Sequence, residues 1–266
     1  MNMPNASLAM LLICSVFSFL ATPARAEVYQ SDDFDYPKGP LQSQEGGDGW
    51  NGPWKVSGMG NTIANSFDLG RGKLPGGYKL TVAPNVLQLS LAEKSQRASR
   101  KFTPPINLDP SSPRVLYFSF VFCRLDTSDQ QGNEVFGFSF SSGGNRVLGF
   151  DVTSTENLQL SYVPTKKSIT GEKRVIEFTD TVQTSPRYVF VGRITANPAG
   201  QMDRLEYSAF DATRSMESEP QVWDLSLEVN AAETLDSVDF VAAPFLRNIL
   251  IDNLRIGSDF SAVTRP

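Results

Sequence analysis

Histidine is missing from the 266-residue chain, and cysteine occurs only twice. Without an imidazole, neither a Ser-His-Asp nor a Cys-His nucleophilic engine is available. One cysteine, Cys14, falls in an apolar leader, which leaves Cys123 alone and rules out an intrachain disulfide in the mature chain. A single thiol and no histidine also leave no zinc site of ordinary composition. An enzyme built from this sequence would work with carboxylates, lysine, tyrosine or a hard metal ion. Positive charge is in deficit as well: 24 Lys and Arg stand against 29 Asp and Glu, a net charge of −5. Nucleic acid is thereby excluded as a partner, since it calls for a basic footprint. The chain has no strongly amphipathic helix, no repeat of fixed period, no low-complexity tract and no linker.

What is present begins with an address. Leu8–Leu20 is apolar and is followed by Ala21-Thr22-Pro23-Ala24-Arg25-Ala26, whose Ala-x-Ala ending predicts cleavage before Glu27. Residues 1–26 therefore read as a signal peptide, too short in their apolar run for the ~20 residues of a membrane span. Residues 27–266 are expected as one secreted domain, extracellular, periplasmic or at the cell surface, with no membrane span.

The mature region reads as strands. Arg114–Arg124 (RVLYFSFVFCR) is apolar on both parities, as in a central strand covered on both sides. In that setting Cys123 is a buried small hydrophobe. Glu134–Phe140 places Phe136, Phe138 and Phe140 on one face, and Ser141-Ser142-Gly143-Gly144-Asn145 predicts a hairpin into Val147–Val152. Val86–Leu91 alternates, with Arg100–Phe102 as its expected hairpin partner. In Asn248–Gly257 (NILIDNLRIG), strict alternation places Asp252 on the face of Leu250, Leu254 and Ile256, where a carboxylate needs a partner or a proton. The whole predicts an all-β domain of two packed antiparallel sheets.

The opening DDFDYPKGPL and GGDGWNGPW, and the close LDSVDF…IDNLRIGSDFSAVT, resemble secreted bacterial proteins of the concanavalin A-like lectin/glucanase superfamily, of planctomycete type. The resemblance implies a jelly-roll sandwich whose first and last strands are neighbours. The E-x-D-x-x-E strand of the superfamily's laminarinase-like glycosidases is not found. The nearest acidic clusters are Asp33/Asp35 in a turn, Glu217/Glu219 in a polar loop, and Asp236/Asp239, whose spacing of three predicts opposite faces. The resemblance also implies a structural calcium at Asp252, with oxygens from Asp33 and from the backbone of the Gly46–Gly49 loop at Gly47; calcium takes six to eight of them. The plainer alternative is an Asp252 satisfied by loop amides or an arginine.

Trp50 and Trp54 are the carbohydrate candidates, because an indole offers a flat apolar face and a polar edge. Equally, they would pin their glycine-rich loop to the sandwich. The basic stretches Arg97-Arg100-Lys101 and Lys166–Arg174 read as solvated loops, with contact to an acidic polysaccharide as the alternative. The functional expectation is a non-catalytic glycan-binding or matrix-associated module. Two rivals stay open: a polysaccharide-degrading glycosidase or lyase with an atypical site, and a purely structural surface protein. The oligomeric state is not legible.

Overall fold

The computed structural model describes residues 26–265 apart from 59–60, 66–73, 79–84, 90–94, 109–113, 125–135, 153–157, 163–173, 179–186, 199–200, 230–233 and 243–248. The leader 1–25 and nearly all of the basic loop 166–174 lie outside these residues. No described helix is long and apolar enough to cross a membrane.

Two antiparallel sheets make up the jelly-roll sandwich. With strands numbered in chain order, the first sheet runs β14 (Leu225–Val229), β13 (Asp203–Phe210), β12 (Arg187–Ala196), β7 (Arg114–Arg124), β16 (Ile249–Gly257), β5 (Asn85–Leu89), β4 (Asn61–Asn65) and β2 (Gly39–Pro40). The other half of β16 pairs with β1 (Val28–Asp32), so the first and last strands are neighbours, as expected. The second sheet runs β11 (Arg174–Phe178), β10 (Leu158–Tyr162), β9 (Asn145–Val152), β8 (Phe136–Ser142), β15 (Thr234–Ala242), β6 (Gln96–Asn107) and β3 (Trp50–Ser57).

Between the sheets lies an aromatic core. Phe118, Phe120 and Phe122 of β7 meet Phe136, Phe138 and Phe140 of β8, together with Phe150, Phe190, Tyr207 and Phe240. Ring centroids approach to 5.1 Å for Phe120–Phe138 and 4.3 Å for Phe150–Tyr207. Such offset and edge contacts add to the area term that dominates burial of these rings. The opposite parity of β7 (Tyr117, Val121 and Cys123) enters a second cluster with Val189, Val191, Phe260 and Val263. This strand is covered on both faces, and Cys123 is buried as predicted. Its outer cover is a short helix, α1 (Phe260–Thr264), capped by Asp259, whose carboxylate accepts from the Ala262 amide. Five residues are too few to carry an amphipathic signature, so sequence patterning misses it.

One expected pairing is wrong. β5 and β6 are not a hairpin: β5 pairs with β4 and β16, whereas β6 pairs with β3 and β15 in the other sheet. Alternation reports which residues share a face, but it does not report which strand lies alongside.

Candidate functional site

The glycine-rich stretch and its tryptophans form a buried tie. Gly47 and Gly49 have φ of 67° and 79°, and a Cβ on either would stand 2.0 Å from a carbonyl oxygen of β1, that of Ser31 or Tyr29. Only glycine lets the loop approach β1 this closely. The Trp50 indole then donates to Ser31 O at 2.8 Å, and that of Trp54 donates to Asp32 Oδ2 at 2.9 Å. The Asp32 carboxylate also accepts from Tyr36 Oη (2.5 Å), the Phe34 amide (2.9 Å) and Arg100 Nη1 (2.6 Å). Burial pushes the Asp32 carboxyl up, and those four donors oppose it.

The two indoles bracket Arg100, its guanidinium carbon lying 5.2 Å from the Trp50 ring centre and 5.8 Å from that of Trp54. Such cation–π contacts are stronger when desolvated. Trp54 is completely buried in the inter-sheet core, and the half-buried Trp50 packs against that core. Both indoles therefore face away from the open side of β3, and the Trp54 ring has no face free for a sugar. Sequence reading passes over Asp32 and takes Arg100 for part of a solvated loop, whereas both are buried, Arg100 within β6. Their signal was faint: parity places each on an inward face, where an isolated charge would be costly.

On the outer side of the same strands lies a trough of about 520 Å³. Its lining comes from β3 (Asn51, Pro53, Lys55, Val56, Ser57), β6 (Arg97, Ser99, Lys101), β15 (Asp236, Ser237) and the β8–β9 turn (Gly143, Gly144). Register builds it rung by rung: Asn51 stands opposite Lys101, Lys55 opposite Ser99, and Ser57 opposite Arg97. On the far side of β6, Ser237 faces Lys101 and Asp239 faces Ser99, and these continue to Ser141 and Ser139. Short polar side chains thus form a floor, and longer charged ones form the rim.

The floor is held in place by its own hydrogen bonds. Asp239 is almost fully buried, accepting from Arg97 Nε at 2.8 Å and from the Ser141 hydroxyl. Asp236 accepts from the Gly143 amide at 2.7 Å and from the Ser237 hydroxyl at 2.8 Å. Spacing alone predicted Asp236 and Asp239 on opposite faces. The ladder shifts register between Leu235 and Ser237, where the longer stretch 101–106 of β6 bulges; Leu235 and Val238 both enter the core, and Asp236 lines the trough on the side to which Asp239 also turns. Farther along this face, Arg146 holds Asp151 with two bonds of 2.8 and 2.9 Å. That pair lies flat over Gly137 and Gly149, where a Cβ would come within 2.6 Å of Asp151 Oδ1 and 2.7 Å of Arg146 Nη2, respectively.

The third polar cluster is on the nine-stranded sheet, at Asp252. Asn253 has a φ of 51°, and the ladder shifts register between Asp252 and Arg255. This bulge reverses the parity of β16. Ile249, Ile251, Leu254 and Ile256 all enter the inter-sheet core, whereas Leu250 joins the outer cluster. Asp252 therefore does not share a face with Leu254 and Ile256, contrary to strict alternation. Its Oδ1 accepts from the Asn253 amide at 2.8 Å. Burial drives its carboxyl well above the usual range; the neighbouring charge of Asp33 adds to this, and Asn253 and Arg255 oppose it. Asp33 is also pushed up by burial, against the attraction of Arg255, whose Nη2 is 3.4 Å from Asp33 Oδ1.

Asp252, Asp33 and the Gly47 loop are thus brought to one end of β16. Their fit to calcium is poor, because a guanidinium shares the space of the two carboxylates. Among the described residues, no three or more His, Cys, Asp or Glu gather as a metal group would require. Glu219, the one member of the loop pair Glu217/Glu219 with a partner on the sheet, accepts from Tyr117 Oη at 2.9 Å and pairs with Arg193. Burial raises the Tyr117 phenol to about 12.

No family model and no curated protein matches the sequence. Solved structures of similar fold include endo-1,3-beta-glucanase from Streptomyces sioyaensis, with 12% identity over 89% of this chain and 98% of that one at a TM-score of 0.49. The T. cruzi calreticulin globular domain gives 15% identity over 88% of each chain, with a TM-score of 0.46. Lectin II from Ulex europaeus gives 10% identity over 76% of this chain and 97% of that one, with a TM-score of 0.39. Nothing about ligand or chemistry passes to this chain at such identities, so the functional reading rests on the trough itself.

Proposed function

We propose that the protein is a secreted, non-catalytic glycan-binding module whose binding face is the trough on the seven-stranded sheet. The observation that carries this reading is an open trough of about 520 Å³ floored by Ser99, Ser237 and Asn51, with its carboxylates already oriented by internal hydrogen bonds. A surface of fixed donors and acceptors suits a hydroxyl-rich chain better than an apolar ligand. A glycosidase needs one carboxyl to give a proton and a second to attack or activate water. Here Asp239 is committed to Arg97 and Ser141, and Asp236 to Gly143 and Ser237.

Affinity electrophoresis of the secreted protein against a panel of soluble polysaccharides tests this. Retention by at least one polymer is expected, with loss of retention in Ser99→Trp, which fills the trough, at an unchanged melting temperature. Release of reducing or unsaturated sugar by clean protein, abolished by Asp236→Asn or Asp239→Asn, would replace this reading with an enzyme.

The Asp33, Asp252 and Arg255 cluster is proposed as a tie between the chain ends, with Arg255 paired to Asp33 beside a protonated Asp252, where the family resemblance would place calcium. The support is the buried guanidinium of Arg255, 3.4 Å from the half-buried Asp33 and close enough to act on the buried Asp252. A chelator is expected to leave the melting temperature unchanged, and a calcium-dependent rise would reverse the assignment.

A further inference from the structure

We infer that the trough selects anionic glycans and seats an acidic group of the ligand over Ser99, an inference that rests on reading the trough as a glycan site. Lys55 stands directly across from Ser99, and Arg97 and Lys101 flank it two residues away on the same face of β6. Such positions on one sheet face are about 5–7 Å apart, close enough for like charges to repel. Three cations therefore stand around one small serine, against a single carboxylate, Asp239, that faces it from β15.

Only Arg97 has a carboxylate of its own, Asp239 at 2.8 Å. Asp236, the other acid of the trough, is taken up by Gly143 and Ser237. Lys55 and Lys101 are exposed, and among the described residues neither is paired with a carboxylate. The chain as a whole carries a net charge of −5, so this positive field is local and not a reflection of general basicity. A carboxylate or sulfate above Ser99 would meet both ammonium groups. The Asn51 amide, opposite Lys101, is placed to take a neighbouring hydroxyl. Carboxylate and sulfate present the same charge and acceptor oxygens, so the ligand class is an acidic polysaccharide of either kind.

The test is affinity electrophoresis and calorimetry of the full secreted protein with polygalacturonate, a sulfated galactan, a neutral β-glucan and polyglutamate. Binding to polygalacturonate or the galactan is expected, and which of them binds assigns the anion. It should be suppressed at about 1 M salt, where the screening length is ~3 Å. The Lys55→Gln/Lys101→Gln pair should weaken it about tenfold, as two partly exposed charge contacts would, with the melting temperature unchanged. The Lys55→Arg/Lys101→Arg pair should retain it. Equal binding of the neutral glucan, or no effect of the glutamine pair, would overturn the anion preference and leave the trough reading standing. Retention of no polysaccharide would overturn both. Equal binding of polyglutamate would reduce the trough to a charge patch and overturn the glycan assignment.

Discussion

The two sheets turn outer faces of opposite character to their surroundings. The outer face of the nine-stranded sheet is sealed at its centre: Tyr117, Val121, Cys123, Val189 and Val191 lie under α1 and Trp223, and Arg193 and Arg255 are paired with carboxylates beside them. The outer face of the seven-stranded sheet is open around β3, β6 and β15, with serines, an asparagine and two lysines that pair with no carboxylate among the described residues. Ser119 and Ser99 make the difference concrete. Each sits mid-strand on an outer face, but the Ser119 hydroxyl is fully buried and donates to Val263 O at 2.6 Å, whereas Ser99 borders a cavity. An antiparallel sheet with one solvated face and one covered face assigns stability to the covered side and leaves the other free to bind.

The sharpest test is therefore the same substitution on both faces. Ser119→Lys would force an ammonium beneath α1, directly across from Arg255, a change expected to cost about 5 kcal/mol or more and to abolish folding in a domain of ordinary stability. Ser99→Lys adds a fourth cation to an open face and should change stability by about 0.5 kcal/mol or less. Denaturant unfolding of both variants decides it. Similar losses in both would mean that the seven-stranded sheet is also covered, and the trough reading would fail with it.

A second contrast is available within β6 alone. Arg100 points inward to a carboxylate as buried as itself, whereas Arg97 points outward with a side chain 42% exposed. Arg100→Ala leaves Asp32 buried without its cation and should cost about 3–5 kcal/mol. Arg97→Ala should cost about 1 kcal/mol, since water screens the outer pair. Unfolding midpoints at constant denaturant slope provide the comparison. If Arg97→Ala proved the costlier, Asp239 rather than Asp32 would be the structural carboxylate.

Much of this architecture was legible because the core obeys period two. The phenylalanines of β7 and β8 and the double-sided cover of β7 could be read from alternation and turn residues, whereas the joining of the chain ends followed from the family resemblance. The polar positions were not legible where a bulge intervened. The register shift between Leu235 and Ser237 brings Asp236 into the trough, and the left-handed Asn253 separates Asp252 from Leu254 and Ile256. A bulge shifts the face of every residue beyond it, and neither of these is marked by a glycine that sequence reading could seize on. The trough itself was invisible for another reason. Its residues come from three strands and a turn far apart in the chain, and only register brings Lys55, Ser99 and Ser237 together. Trp50 and Trp54 were conspicuous but turn to Arg100 instead.

The smallest expected effect concerns the charge state of the sealed face. Asp252 has a carboxyl raised well above 3.8 by burial, so the folded state holds its proton more tightly than the unfolded chain does. Its contribution is then complete below about pH 4 and is lost as pH rises through the folded value. Asp252→Asn makes the neutral form permanent. The variant should match the wild type at low pH and gain melting temperature relative to it as pH rises toward neutrality. Should Asp252→Asn instead fall below the wild type at neutral pH and converge with it in acid, Asp252 would be an ionised partner of Arg255. The sealed face would then carry a true buried ion pair in place of a protonated acid.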